Sequence, residues 1–410
     1  MLSRIFSYTV AGGPSVFSGT DALSSLGVVA DGFGWRRALI VTSPSLLRTP
    51  VIPAVVAAIG EQRVAGTFGG SCEHTPIESV EQAYALAQDL GADVVLGVGG
   101  GSAMDTAKGL SLALLSGSGD IREHSGTVAG FKARLGDPVS HMVDVQRLLD
   151  RRDGRTTVPI VQIPTTLSAA EATQHAGITD RNGRKEQYHH PLIGARVIVH
   201  DPALTLSTPD RLWLSTGIKA LDHAVEIAYS SLGNDLVQGV ACNSIRILRE
   251  LLPASVRARG DLGARSRLQA TAWSVIGLTQ ATSANVGLDH ALVHRLGGKL
   301  GIPHGIATCM TLPHVMEFNS PAALPSMALI GRVGFGSTAD SPQQAAADAV
   351  AGTRRLIAEL GLEFRLRDYV DDESSLDEIA SLTLSDTGMA GNPRQDVTVD
   401  DVREILARAW

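Results

Sequence analysis

The glycine-rich stretch 97–109, GVGGGSAMDTAKG, constrains the fold of this chain more than any other segment. The preceding residues 92–96 are β-branched at their centre and predict a buried strand, and residues 103–115 have the apolar spacing of a helix. A strand, glycines and a helix in this order expose backbone N–H groups to an anion. The predicted function is a pyrophosphate cradle, with Ser102 as a hydroxyl donor and Lys108 deeper in the helix. The alternative is a tight turn, although three consecutive glycines followed by serine exceed what a turn requires.

Composition narrows the class of protein. The chain has 410 residues, enough for two domains, and with 44% hydrophobic and 19% charged residues it is globular. Its net charge is −7, no long basic tract occurs, and only 4% of its residues are aromatic. These values argue against a nucleic-acid surface, because such surfaces need basic patches and aromatic stacking platforms. We therefore expect a small-molecule substrate and no nucleic-acid partner.

Cysteine usage and hydropathy indicate the cellular compartment in which we expect the protein. The three cysteines have wide, irregular spacing, which indicates a reducing compartment and neither a disulfide framework nor a cysteine-based zinc site. The first residues lack the apolar core of a signal peptide, and no run of about 18 apolar residues occurs. We expect a cytoplasmic protein that does not associate with a membrane.

Strand-like and helix-like segments alternate in the first half of the chain, which is typical of a parallel sheet covered by helices on both faces. The predicted strands are 38–42, 64–68, 92–96, 160–164 and 197–200. The glycines follow the third of these, and no acidic residue ends a strand about 20 positions later, so the common Rossmann fingerprint is absent.

The second half of the chain has a different pattern. A polar stretch, 120–159, contains a charged run at 147–155 and predicts a surface excursion or a lid. From about residue 209 the strand pattern ends and long segments with helical spacing follow. We therefore predict an α/β dinucleotide-binding domain at 1–205 and an all-helical catalytic domain at 206–410, with a ligand cleft between them.

Four histidines in the helical half have suggestive spacing. His290 and His294 are four residues apart and share a helix face, His304 starts the next predicted helix, and His223 lies on an earlier one. Imidazoles from several helices can bind a divalent metal or move protons. Each could instead cap a helix or fill a core niche. The HExxH zinc signature is absent, because residue 291 is alanine.

Several motifs follow one another in a characteristic order. They are Gly99-Gly100-Gly101-Ser102 with Asp105 and Lys108, Pro164-Thr165-Thr166, Asp201-Pro202 with Leu204-Thr205-Leu206, 217–226, 290–305, Leu312-Pro313-His314 and Asn392-Pro393-Arg394. From about residue 9 to Trp410 the chain resembles the iron-containing (group III) alcohol dehydrogenases and their maleylacetate reductase relatives. The resemblance implies a dehydroquinate synthase-like fold, in which a parallel α/β domain that binds NAD or NADP precedes an all-α metal-site domain. It also implies hydride transfer between the nicotinamide ring and a carbonyl or alcohol carbon.

The resemblance assigns roles to individual residues. The glycine loop holds the pyrophosphate, Thr165 and Thr166 lie along the cofactor, and Lys185 lies near the ribose. Ser43 stands where many relatives carry an aspartate that would repel a 2′-phosphate, so NADPH is possible alongside NADH. The family's metal positions correspond to residues 219, 223, 290 and 304. His294 corresponds to a nearby histidine suited to a proton relay.

Lys219 departs from the family pattern, because the alcohol dehydrogenases carry aspartate there. A protonated ammonium does not ligate a divalent cation and repels it. One hypothesis, which the similar departure in maleylacetate reductases favours, is a metal-free site in which Lys219 and the histidines polarise the carbonyl oxygen. Another is a metal, Fe or Zn, held by His223, His290 and His304 with Asp222 as the substitute carboxylate. A third is that Lys219 extends out to solvent.

The leading hypothesis is an NAD(P)H-dependent oxidoreductase closer to the maleylacetate reductase branch, with Lys219 and His294 as its catalytic residues. A metal-dependent alcohol dehydrogenase is the alternative within the family. A dinucleotide-binding protein without catalysis is the alternative from another class. We also expect the protein to form a homo-oligomer, namely a dimer.

Overall fold

The computed structural model describes residues 6–9, 13–124, 157–183, 185–280 and 284–410. They form two compact units. The first comprises residues up to Thr208 together with Gly260–Ala270, and the second comprises Pro209–Arg259 and Thr271–Trp410. The division into domains at 1–205 and 206–410 stays a prediction. Most of the predicted polar excursion, including the charged run 147–155, lies outside the described residues.

The first unit is built on a seven-stranded sheet and a two-stranded hairpin. Its strands are β1 (Phe6–Thr9), β2 (Ser15–Ser18), β3 (Ala38–Val41), β4 (Val64–Phe68), β5 (Val94–Gly99), β6 (Ile160–Pro164), β7 (His175–Thr179), β8 (Lys185–His189) and β9 (Val197–His200). The large sheet has the order β1-β2-β9-β6-β5-β3-β4, and all its pairings are parallel except that of β1 with β2. The predicted parallel sheet is confirmed.

Helices cover both faces of this sheet. They are α1 (Ser25–Phe33), α2 (Val51–Ile59), α3 (Ile77–Leu90) and α4 (Gly101–Ser116). Ile40 of β3 packs in one buried cluster with Val55 of α2, whereas its neighbour Leu39 packs in another with Val80 of α3 and Leu110 of α4. Successive side chains of a strand point to opposite faces, so a strand buried on both sides must be apolar throughout. The sequence ALIV of β3 meets this requirement.

Four strands did not follow from the sequence. β1 and β2 are only four residues long, and the hairpin strands HAGIT (β7) and KEQYH (β8) lack both an apolar run and a clear alternation. The glycine loop therefore follows the fifth strand of the chain rather than the third. By contrast, the predicted strands 64–68, 160–164 and 197–200 match β4, β6 and β9 residue for residue.

The second unit is helical, as predicted, and no strand occurs in the described part of the chain after β9. The helices after β9 are α5 (Asp210–Ala228), α6 (Asp235–Arg257), α7 (Leu262–Gln280), α8 (Leu288–Leu300), α9 (His304–Asn319), α10 (Leu324–Leu329), α11 (Pro342–Glu359), α12 (Ser375–Thr383) and α13 (Val399–Ala409). The first part of α7 belongs to the segment Gly260–Ala270 of the first unit. Among the described residues, no helix combines the length and the apolar character needed to cross a bilayer.

One predicted helix of the second unit is shorter than expected. The apolar spacing predicts a single helix over 321–333, but α10 ends at Leu329 and a π-helical turn, Ile330–Gly334, follows it. Gly331 explains the tight packing at this point, because a Cβ there would lie 1.9 Å from the carbonyl oxygen of Ala345 on α11. No side chain fits so close to a neighbouring backbone.

A buried lysine joins α4 to the chain that follows β6. Lys108 is fully buried, and its Nζ donates to the carbonyl oxygens of Ala170 (2.6 Å) and His175 (2.8 Å) and to Thr173 Oγ1 (2.7 Å). Burial lowers the pKa of Lys108, while Asp105, 3.4 Å away, opposes this shift. The ammonium group is thus bound by the protein itself and does not extend the predicted anion cradle.

We expect Lys108→Met to destabilise the protein by roughly 3 kcal/mol, because a buried ammonium group that donates to three oxygens would be lost. Lys299→Met is the matched control. Its ammonium group is about half exposed and pairs with Glu378, and exposed pairs contribute less than about 1 kcal/mol. Urea unfolding at neutral pH measures both changes, and equal midpoints for the two variants would contradict the anchoring role of Lys108.

Candidate functional site

The glycine loop joins the end of β5 to the start of α4. Gly99 has φ of +140°, a conformation that side chains disfavour, and Gly100 precedes the helix without a side-chain cap. The backbone N–H of Thr165 donates to the carbonyl oxygen of Gly99 at 2.8 Å, which holds the loop against the end of β6. Gly101 and Ser102 begin the helix, so its first N–H groups are available to an anion.

Two buried hydroxyl groups face this loop. A Cβ on Gly100 would lie 3.3 Å from Thr166 Cγ2, and one on Gly101 would lie 3.5 Å from Ser168 Oγ. Both hydroxyl oxygens are buried, and neither has a hydrogen-bond partner among the residues that the structure describes. Because a buried hydroxyl without a partner is costly, their position beside uncapped N–H groups suits an oxyanion such as a pyrophosphate.

The other residues predicted to bind the cofactor lie near the same strands. Ser43 follows β3, which pairs in parallel with β5, and its hydroxyl lies 2.9 Å from that of Ser45. Asp105 accepts a hydrogen bond from the backbone N–H of Gly177 at 3.1 Å. The side chain of Lys185 lies over Gly177, where a Cβ would come within 2.8 Å of Lys185 Cε, and burial lowers the pKa of this lysine. Asp105 and Lys185 thus both contact β7.

His200 and Glu171 form a buried pair that was not predicted from the sequence. His200, at the end of β9, has its Nε2 at 3.1 Å from Oε1 of Glu171, and both side chains are buried. The second oxygen of Glu171 and Nδ1 of His200 have no hydrogen-bond partner in the described part of the chain. The pair fixes the turn Ala170–Ala172, two residues after Ser168. Because 29 positions separate its members, no local pattern indicates it.

In the second unit, the four histidines predicted to converge form one group. His223 lies on α5, His290 and His294 lie on α8, and His304 is the first residue of α9. The ring of His290 stacks on that of His223 with centroids 4.5 Å apart, and its centroid lies 5.2 Å from His304 and 6.0 Å from His294. The rings of His294 and His304 are 5.7 Å apart.

Asp222 joins two of these histidines in a group suited to a metal ion. One donor atom from each of Asp222, His290 and His304 lies within 4.8 Å of the others, and the carboxylate of Asp222 is fully buried. His223 is not a member of this group and instead stacks on His290. Lys219 is half-buried on α5, four residues before His223. One carboxylate and two imidazoles are ligands that divalent transition metals accept.

Glu226 orients His290 and was not singled out as a site residue by sequence reasoning. Its carboxylate accepts the backbone N–H groups of Gly287 (2.8 Å) and Asp289 (2.7 Å), at the start of α8, where negative charge is favourable. It also lies 2.9 Å from Nδ1 of His290. Nε2 of His290 is buried and has no hydrogen-bond partner among the described residues. A carboxylate on one nitrogen fixes the ring so that the other can bind a metal.

The surroundings of His290 carry an excess of acidic groups. Although burial lowers the pKa of His290, Asp222 and Glu226 outweigh it and raise that pKa to about 9. Burial raises the pKa of Asp222 to about 6 against the opposing effect of His290. Burial and the charges of Asp222 and Glu226 also raise the pKa of the adjacent Asp289 well above its ordinary value. The group therefore favours a bound cation, whether a proton on His290 or a metal ion.

Asp386 orients His294 from a distant part of the chain. Its carboxylate lies 3.4 Å from His294 Nδ1, accepts from Arg295 Nη2 at 2.6 Å and caps the turn Thr387–Gly391 through the N–H of Gly388 at 2.9 Å. Burial alone would raise the pKa of Asp386, but His294, Gly388 and Arg295 hold it well below its usual range. With 92 residues between Asp386 and His294, no sequence spacing indicated the contact.

Two family models match the chain. Residues 13–202 match the model described as iron-containing alcohol dehydrogenase, and residues 213–410 match that of the C-terminal part of the Fe-containing alcohol dehydrogenase family. Together they include the glycine loop and all four clustered histidines.

Curated relatives of two kinds match at similar identity. The chain is 31% identical to maleylacetate reductase of Pseudomonas sp. (strain P51) over 312 residues, which are 75% of this chain and 74% of the relative. It is 30% identical to 1,3-propanediol dehydrogenase of Citrobacter freundii over 421 residues, covering 100% of both.

Solved structures of the same two kinds of protein are similar to this chain. A crystal structure of 1,3-propanediol oxidoreductase superposes with a TM-score of 0.84 at 25% identity and covers 100% of both chains. The maleylacetate reductase of Rhizobium sp. strain MTP-10005 gives 0.74 at 25% identity, covering 100% of this chain and 99% of the other.

We expect Asp386→Asn to destabilise the protein by roughly 2 kcal/mol at pH 7, because Arg295 and His294 would lose a buried anionic partner. A depressed pKa contributes stability that is present above the unfolded value of about 4 and is lost as the pH falls towards the folded value. The difference in Tm between wild type and Asp386→Asn should therefore shrink from pH 7 to pH 3. A difference independent of pH would contradict the assignment of a charged Asp386.

Proposed function

This chain belongs to the iron-containing alcohol dehydrogenase family, and we propose that it transfers a hydride between a nicotinamide cofactor and a carbonyl or alcohol carbon, in the manner of the maleylacetate reductases. It is an oxidoreductase, as the proteins of this family are. The observation that carries the proposal is the group of Asp222, His290 and His304, whose donor atoms lie within 4.8 Å of one another.

The first unit would hold NAD or NADP, the cofactors of the family. The uncapped start of α4 and the hydroxyls of Thr166 and Ser168 would bind the pyrophosphate, which would satisfy these buried groups. Thr165 would lie along the cofactor and Lys185 near its ribose. Ser43 follows β3 without the carboxylate that would repel a 2′-phosphate, so we expect NADPH to bind as well as NADH.

The residues of the second unit fit a divalent metal ion. Asp222, His290 and His304 would hold it, with Asp222 in place of the predicted His223 and as the carboxylate that Lys219 cannot supply. A bound divalent ion would polarise the carbonyl oxygen of the substrate. Glu226 orients His290 through Nδ1, and His223 supports the ring of His290 by stacking on it.

His294 would move the proton. In reduction, a bound nicotinamide would supply the hydride for the carbonyl carbon, so the residues of the site must supply the proton that turns the oxygen into a hydroxyl. Asp386 lies beside Nδ1 of His294, so the other ring nitrogen, Nε2, is the atom that would pass a proton to this oxygen. In oxidation of the alcohol the same atom would accept the proton.

The site also admits a mechanism without a metal. Lys219 is half-buried on the helix that carries Asp222 and His223, and its ammonium group could polarise the carbonyl oxygen together with a protonated histidine. The two mechanisms differ in one measurable property, which is the metal content of the active protein.

We expect protein purified without chelators to contain stoichiometric Fe or Zn and to oxidise NADH or NADPH with an aldehyde, a ketone or an unsaturated oxo-diacid such as maleylacetate. Metal content and turnover are measured on the same sample. Glu226→Gln should lower metal affinity by about 10- to 100-fold, because Nδ1 of His290 loses the carboxylate that also holds the start of α8. Glu250→Gln, at an exposed carboxylate that pairs with Arg246, is the control and should change nothing.

Two results would contradict this account at different levels. If metal-free protein is active and Lys219→Ala abolishes that activity, the lysine and not a metal ion polarises the carbonyl oxygen. A lack of turnover with every substrate, despite cofactor binding, would contradict the proposed reaction itself.

We expect Thr166→Val to weaken NADH binding by about tenfold, equivalent to about 1.4 kcal/mol, without loss of stability. The reason is that its hydroxyl has no hydrogen-bond partner among the described protein groups. Ser111→Ala on α4 is the converse control, since its hydroxyl donates to the carbonyl oxygen of Val158 at 3.1 Å. That variant should lose about 1 kcal/mol of stability and keep its NADH affinity. Fluorescence titration measures NADH affinity and urea unfolding measures stability. If Thr166→Val lost stability and kept its NADH affinity, Thr166 would not belong to the cofactor site.

A further inference from the structure

We propose that a groove on the second unit, lined by His314 and three arginines, binds a small organic polycarboxylate. The groove encloses about 710 Å³, which is within the range of small-molecule sites. α9 contributes His314 and Glu317, α11 contributes Arg354, α13 contributes Arg408, and Arg365 lies between α11 and α12. None of these residues belongs to the histidine group or the glycine loop.

The groove carries more positive than negative charge. Glu317 accepts from Arg354 at 2.9 Å and lies 3.5 Å from Arg408, which also pairs with Glu404 at 2.6 Å. Within the described parts of the chain, Arg365 forms no ion pair. Three arginines and one carboxylate, that of Glu317, therefore line the groove, on a chain whose net charge is −7. A local reversal of sign in a concave site attracts an anion.

The arginines keep donors for a ligand. The side chains of Arg354 and Arg408 are 46% and 49% exposed, so their bonds to Glu317 stabilise the fold little. Each guanidinium has five N–H donors, and a carboxylate satisfies at most two of them in a bidentate pair. The planar fork of arginine matches a carboxylate of the ligand in the same way. Arg365 could accept such a group without breaking an existing ion pair.

His314 forms part of the groove wall. It ends the motif Leu312-Pro313-His314, which the reaction proposed above does not use. Its Nδ1 is buried and has no hydrogen-bond partner in the described chain. Burial lowers the pKa of His314, and Arg354 strengthens this effect, so that the pKa is about 4 and the ring is neutral at pH 7. The ring therefore adds no charge to the groove, and the arginines supply the attraction for an anion.

The remaining wall indicates an organic ligand. Pro321, Ala347, Val350 and Ala351 contribute apolar surface beside the charged groups. A short aliphatic skeleton would contact this wall, while two or more carboxylates would reach arginines on different elements. A polycarboxylate therefore fits the groove better than an isolated inorganic anion does.

The test uses citrate as the probe and the full-length protein saturated with NADH, so that the glycine loop does not contribute. Isothermal titration calorimetry should detect saturable citrate binding that weakens at least tenfold in the double variant R354Q/R365Q. The charge-matched control R246Q/R257Q alters two exposed arginines that pair with Glu250 and Glu359, and it should change the affinity less than twofold. The charge-neutral variant A347L, which narrows the groove, should also weaken binding at least tenfold.

Any of three results would overturn the proposal. The first is the absence of saturable citrate binding to the wild-type protein. The second is an equal loss in R246Q/R257Q and in R354Q/R365Q, which would show a general effect of net charge. The third is tighter binding of acetate or inorganic phosphate than of citrate, which would exclude a site built for a polycarboxylate. Thermal melting of each variant checks that its fold is intact.

Discussion

The carboxylate of Glu226 is the interaction on which the candidate metal centre depends. From α5 it bonds the backbone N–H groups at the start of α8 and the Nδ1 of His290. A single buried side chain therefore caps one helix, connects it to another and sets the orientation of an imidazole. The distance between Asp222 and His290, 2.8 Å from Oδ2 to Nδ1, follows from this arrangement because Asp222 precedes Glu226 by one helical turn.

Much of the framework followed from the sequence, for definite physical reasons. Strands β3 and β6 are buried throughout in the parallel sheet, so a short apolar run identifies them. The glycine loop needs a positive φ at Gly99, which side chains disfavour, and a Cβ at Gly100 would press on Thr166. The hairpin β7–β8 escaped prediction because a glycine, Gly177, interrupts the short apolar part of β7, and β8 is largely polar.

The candidate site was harder to derive. Helical spacing places both Asp222 and His223 near Lys219 along α5, and spacing alone does not tell which of them brings a ligand atom within 4.8 Å of those of His290 and His304. The bonds of Glu226 to α8, of Asp386 to His294 and of Glu171 to His200 join residues 29 to 92 positions apart. Such pairs leave no periodic signal, because they form only when separate elements pack together.

The way in which Glu226 is held has a consequence for how the centre would be loaded. Its partners include backbone N–H groups, which are present whether or not an ion is bound. The pocket is thus pre-organised by the helix start rather than assembled by the metal, unlike zinc fingers, whose folding requires the ion. Loading and exchange of the ion would then proceed without local refolding, and the same scaffold would tolerate substitution of one divalent ion for another.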